Sequence, residues 1–152
     1  MALNSSGITA AIAALNVTGV TIKDIDAIPQ SVINRDCPIF FPMPGDWLDG
    51  GRATSEDETT FGPAGSRLWH VYRTYKYVFL HSAVGIGRGN SDTYQDAQEK
   101  IEALINAITA LDVSGVDVTE IKNSALGVLQ DAAGSKFTGC TFNISIRERI
   151  NP

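Results

Sequence analysis

The stretch Arg67-Leu-Trp-His-Val-Tyr-Arg-Thr-Tyr-Lys-Tyr-Val-Phe-Leu80, followed by the turn Gly85-Ile-Gly-Arg-Gly89 and a helical pattern from about Ser91 to Leu111, decides the fold. Its first part is dense in aromatic and β-branched residues, which fit a pleated, half-buried surface. Alternation sets Trp69, Val71, Tyr75, Tyr77 and Phe79 on one face, and Leu68, Tyr72, Val78 and Leu80 on the other. Both faces are largely apolar, so a central strand covered by helices on at least one side is expected. Beyond the glycine turn, Asp92 with Gln95 has the form of a capping box, and Ser91 is a rival cap. Tyr94, Ala97, Ile101, Leu104, Ile108 and Leu111 then recur at intervals of three and four, the spacing of one apolar helix stripe. Gln98, Glu99, Glu102, Asn106 and Thr109 fall mostly off that stripe.

Upstream, Ser5 or Ser6 is placed to cap a short helix to about Leu15, with Ile8, Ile12 and Leu15 on one face. A short extended piece is expected over Val20 to Ile28. Cys37 to Phe41 reads as a strand in which Pro38 cannot donate to a ladder, which assigns it to a sheet edge or a strand start. Between Pro42 and Ser66, prolines and glycines break regular structure, and Asp46, Asp49, Glu56, Asp57 and Glu58 oppose only Arg52. So long an acidic loop is either ordered against a partner through Trp47, Leu48 and Phe61, or mobile. After a break at Gly115, strands are expected over Ala125 to Gln130 and Phe137 to Arg149, joined by a turn at Gly134 and Ser135. The order predicts a single α+β domain over residues 1–152: a mostly antiparallel sheet packed against two helices, with a long loop before the central strand.

A chain of 152 residues buries roughly 70% of its unfolded surface, enough for a sizeable core. Its apolar fraction of 43% against 19% charged residues marks a globular and somewhat charge-poor chain. The net charge of −5 argues against a nucleic-acid binder, because phosphate recognition needs clustered cations, and Arg147 and Arg149 are split by Glu148. Cys37 and Cys140 make no disulfide framework and read as buried free thiols. No apolar run approaches the roughly 20 residues that span a bilayer, and the N-terminus lacks the basic start of a signal peptide. A soluble protein made in the cytoplasm is expected.

Few residues point to chemistry. Gly85 to Gly89 sits where phosphate loops sit, yet position 90 is Asn and the third glycine comes one residue early, so the dinucleotide fingerprint fails. The helix N-terminus there still offers N–H groups to an anion, and a small anion- or nucleotide-binding domain stays as an alternative. His70 and His81 should point to opposite faces of a continuous strand, and neither has a partner at metal-ligand spacing. A hydrolase using either histidine is the remaining enzymatic alternative. Glu56 to Glu58 lacks the pattern of a calcium loop and reads as a solvated acidic run. The aromatic residues of the central strand, with only Arg67, Arg73 and Lys76 near them, read as core packing rather than as a base-stacking platform. No catalytic, cofactor or metal residue is assigned.

The whole-chain layout resembles the tail terminator (tail completion) proteins of tailed bacteriophages and related head-to-tail neck proteins. The resemblance lies in the short N-terminal helix, the proline-bounded lead Ile28-Pro-Gln-Ser-Val-Ile-Asn-Arg-Asp-Cys-Pro-Ile-Phe-Phe-Pro42, the long strand feeding a helix, and the glycine-led close Gly139-Cys-Thr-Phe-Asn-Ile-Ser-Ile-Arg-Glu148. The segment from Pro42 to Ser66 is longer than in a compact member. What the resemblance implies is a non-enzymatic virion protein without cofactors, forming a homo-oligomeric ring, commonly a hexamer. Such a ring caps the tail tube protein and meets the head-side connector or stopper protein, and genomic DNA passes through it without specific binding. A stopper or tube-like subunit is the nearest alternative. Ring closure needs a heterologous contact, for which Ile39, Phe41, Trp47, Leu48, Phe61, Arg147 and Arg149 are the candidates under this resemblance.

Overall fold

The computed structural model describes residues 5–29, 31–43, 57–61, 69–84, 90–131 and 133–150. Two strands of 15 residues, β4 (Trp69–Ala83) and β7 (Lys136–Ile150), form its centre. They pair antiparallel from Trp69 opposite Ile150 to Ala83 opposite Phe137. Along its other edge, β4 pairs with β2 (Ile39–Pro42) over Tyr77 to Leu80 and with β3 (Asp57–Phe61) over Trp69 to Arg73. The outer edge of β7 is divided the same way, between β5 (Val116–Asn123) and β6 (Gly127–Gln130). A two-residue strand β1 (Thr21–Ile22) joins β2 in parallel. The described strands thus form one seven-stranded sheet, antiparallel except at β1. The α+β class expected from the sequence is the class observed.

Two helices, α1 (Ser5–Ala13) and α2 (Asn90–Thr109), lie on one face. Ile8 and Ile12 from α1, and Ala97, Ile101, Leu104 and Ile108 from α2, meet Tyr77 and Phe79 of β4 and Phe142, Ile144 and Ile146 of β7. Phe40 stacks on Tyr77 at 4.8 Å and meets Phe142 edge-on at 5.1 Å, both within the favourable range for aromatic pairs. The opposite face holds a smaller apolar cluster, Val32, Ile39, Phe41, Val78, Leu80, Leu129 and Phe137. This alternation along β4 follows from the period of two in a strand. Tyr94 departs from the expected stripe: it is 61% exposed, because it lies at the start of α2, beyond the reach of the main cluster.

Several expectations need correction. The segment from Pro42 to Ser66 contains β3, which glycine and proline counting overlooked because Asp57-Glu-Thr-Thr-Phe61 is too polar to look like a buried strand. Likewise β5 was not anticipated: Val116-Asp-Val-Thr-Glu-Ile-Lys-Asn123 is an edge strand whose alternation is disturbed by a register shift between Val118 and Glu120. Of the two places expected for Pro38, the strand start is the one observed, since Pro38 immediately precedes β2, whose first two residues pair with β1 on one side and β4 on the other. The expected extended piece over Val20 to Ile28 is only β1, followed by a 3₁₀ turn at Ile25–Ala27, where the Asp24 carboxylate accepts from the Ile25 N–H at 2.6 Å. The hairpin at Gly134 forms as expected: Gly134 has φ +91°, and the Asp131 carboxylate accepts the Ser135 N–H at 2.7 Å. Among the described residues no helix is long and apolar enough to cross a membrane.

Candidate functional site

A register shift in β4 builds the most chemically varied cleft. Leu80 pairs with Gly139 and Ser82 with Thr138, so His81 is an extra residue with no counterpart on β7. Such a bulge re-aims a side chain. Here it sets the imidazole Nδ1 3.2 Å from the Ser82 hydroxyl. Gly139 accommodates the distortion, because a Cβ at that position would collide with the Phe79 carbonyl oxygen. On its other side, His81 Nε2 lies 2.6 Å from Asp96 Oδ2 on α2, and Lys100, one turn further along, donates to Asp96 Oδ1 at 3.1 Å. His81 is buried while Asp96 and Lys100 are partly open. The hydrogen bond from His81 holds the Asp96 carboxyl below its ordinary value, with Lys100 adding to the effect.

The cleft has a volume of about 320 Å³ and also takes in Gly19, Asn34, Cys37 and Pro38. Asn34 fixes one rim by accepting the Ala83 N–H at 3.0 Å. Cys37 is no activated thiol: burial, helped by Asp36, pushes its pKa up to about 11, and a thiolate is what nucleophilic attack requires. The second thiol, Cys140, is free as well and is pushed to about 12 by burial. A histidine held between a hydroxyl and a carboxylate is able to pass a proton between them. It also bolts α2 to the sheet, since His81 and Asp96 stand on different elements. Among the described residues no group of three or more His, Cys, Asp or Glu side chains is arranged to hold a metal ion.

The second region is the face of the sheet that carries no helix. Register places Tyr72, Arg147 and Asp117 in one row across β4, β7 and β5, and Lys76, Asn143 and Lys122 in another. Between them the Thr74 and Ser145 hydroxyls meet at 3.1 Å. Arg147 donates to Asp117 at 2.7 Å, and this bond holds the Asp117 carboxyl low and the guanidinium high. Both partners are well exposed, so the pair organises the surface more than it stabilises the fold.

The candidate contact residues fall into distinct places. Ile39 and Phe41 are 2% and 0% exposed within the smaller cluster, so they are withdrawn as surface contacts; strand alternation turned them inward beneath the 31–37 segment. Arg147 is half-exposed on the open face and Arg149 is exposed near it. Phe61 ends β3 in register with Trp69. Trp47 and Leu48 lie outside the described residues, as does the Gly85 to Gly89 turn. His70 and His81 do point to opposite faces, with His81 toward α2 and His70 near Tyr72. Sequence reading singled out His81 but missed Asp96 and Ser82. Their link depends on a bulge and on a helix returning across the sheet, neither of which leaves a spacing pattern. Compared with protein-family models and with curated proteins, the chain matches none.

Proposed function

We propose that this chain is a non-enzymatic structural subunit of a phage neck or tail, and specifically the tail terminator. Copies form a ring, expected to be a hexamer, that caps the tail tube protein and presents a surface to the head-side connector in the virion. The observation that carries the reading is the division of the sheet into two unlike faces with unlike edges. Helices cover one face, whereas the β4–β7–β5 half of the other is lined by polar rows. The short strands β3 and β5 end the sheet on opposite sides. A subunit with two different edges suits head-to-tail closure, which joins one patch to a different patch on the next copy. The order of a short helix, a proline-led strand, a long strand feeding a helix and a glycine-led closing strand supports the same reading. Light scattering with negative-stain imaging tests it: annular particles whose mass is a multiple of the 16.3 kDa chain are expected, and a strict monomer, alone and with tail tubes present, overturns it.

One observation favours a second reading. The hydrogen-bonded chain Ser82–His81–Asp96 is an arrangement compatible with a hydrolase. Against it, Ser82 and His81 are neighbours on one bulge, so their proximity follows from the backbone and not from the convergence of separate elements. Comparing His81→Ala with the parent for ring formation and for cleavage of activated esters separates the two readings. Ester cleavage that disappears in the variant supports the hydrolase; assembly without cleavage in either protein supports the ring.

A further inference from the structure

Ile25, Tyr94 and Val128 are the most exposed large apolar side chains among the described residues, at 57%, 61% and 60%. They stand at the two ends of one row of the sheet. Thr21, Ile39, Leu80, Gly139 and Gly127 are in register across β1, β2, β4, β7 and β6. With strands about 4.8 Å apart, that row spans roughly 19 Å. At its β6 end, Thr93 and Tyr94 of α2 and Leu126, Gly127, Val128 and Thr138 line a hollow of about 210 Å³. Leu129 and Phe137 belong to the smaller cluster on the other face, so alternation turns their neighbours Val128 and Thr138 toward the helix side. At the β1 end, the chain passes from Ile22 into the 3₁₀ turn Ile25–Ala27, which lies beside α1. The Asp24 carboxylate fixes that turn by accepting the Ile25 N–H, and Ile25 is left exposed on it. A single exposed apolar residue is ordinary on a protein surface. An apolar knob at one edge and an apolar hollow at the other make a matched pair.

The charges beside them match as well. Lys136, two residues before Thr138 on β7, shares its face and is exposed next to the hollow. On the turn, Asp24 and the exposed Asp26 flank Ile25, and with Lys23 the segment Lys23-Asp-Ile-Asp26 carries a net negative charge. We propose that the Tyr94–Leu126–Val128 hollow of one copy receives Ile25 from a second copy of this chain, with Asp26 meeting Lys136 at the rim. Each copy then uses its knob on one neighbour and its hollow on the other, and repetition of that rotation generates a ring or a filament. The contact rests on the ring reading above and names the surfaces that close it. Apolar burial around Tyr94 supplies the affinity, as an aromatic anchor at the centre of an interface does. The rim charges set orientation and speed association more than they add raw affinity, so raised salt should slow assembly.

Placing a carboxylate on either half tests the contact, because an unpaired charge is costly inside an apolar hollow. Light scattering would compare the parent with Ile25→Asp, with Val128→Asp and with an equimolar mixture of the two variants, each checked for folding by circular dichroism. The expected result is an oligomer for the parent and a single-chain mass of 16.3 kDa for each variant alone. The mixture should stop at two chains: the Ile25→Asp copy keeps its hollow, the Val128→Asp copy keeps its knob, and the remaining ends bring two carboxylates together. If the parent assembles while the folded variants keep its mass, or the mixture stays at a single chain well above the concentration that assembles the parent, this contact is wrong while the ring reading stands. A parent that stays monomeric, alone and with tail tubes present, overturns both.

Discussion

The two faces of the sheet obey different rules although they share the same strands. Toward the helices, Tyr77, Phe79, Phe142, Ile144 and Ile146 are buried with α1 and α2 in the larger apolar cluster, where stability scales with the area removed from water. On the other side of the same strands, Thr74, Lys76, Asn143, Ser145 and Arg147 are half-buried; the Thr74 and Ser145 hydroxyls meet, and Arg147 pairs with Asp117 of β5. The first face is the larger core wall; the second combines a smaller apolar cluster with polar rows, and under the proposed ring those rows are what a neighbouring protein would meet.

Four substitutions measure that contrast by urea denaturation. Phe142→Ala, which removes a ring that is 0% exposed and packed edge-on to Phe40, should lower stability by about 3–5 kcal/mol; a loss near zero would mean that the helix face is not the core. Tyr77→Phe probes the same face from the other direction. Among the described residues the Tyr77 hydroxyl is buried without a hydrogen-bond partner, and burial raises its pKa, so its removal should be neutral or add about 1 kcal/mol. A marked loss would reveal a partner for the hydroxyl.

Asp96→Asn tests the polar bolt between α2 and the sheet. Because Asp96 is held below its ordinary pKa, its contribution is complete above the unfolded carboxylate value of about 4 and is lost as pH falls through the lowered folded value. The parent should therefore exceed the variant by on the order of 1 kcal/mol at neutral pH, with the gap closing in acid. A gap independent of pH would rule out the ion pair as its source. The smallest effect is expected from Arg147→Ala on the open face, with little or no change in the urea midpoint, since its pair with Asp117 is exposed and screened by solvent. A loss as large as that of Phe142→Ala would erase the distinction between the faces.

Much of the fold was legible because β4, α2 and β7 carry their burial in their periodicity. The apolar alternation of Cys140, Phe142, Ile144 and Ile146 and the stripe from Ala97 to Ile108 each indicate one buried face. Edge strands are harder to see. β3 and β5 mix Asp, Glu, Thr and Lys with a few apolar residues, and those of β5 are exposed or half-buried, so hydropathy does not separate them from loops. Ile39 and Phe41 misled for a related reason: Pro38 pointed to a sheet edge or a strand start, and it is the strand start, with both side chains buried in the smaller cluster.

By itself, the sequence determined the class: a long aromatic strand, an amphipathic helix and a closing strand have only a few ways to bury their apolar faces together. It also set the overall negative charge. Tertiary structure alone decided which polar residues meet. The union of His81, Ser82 and Asp96 depends on an extra residue in β4 opposite Gly139, and the row of Lys76, Asn143 and Lys122 depends on the register of three strands far apart in the chain. Periodicity records which side of an element is buried, but register between elements is settled by packing across the whole sheet.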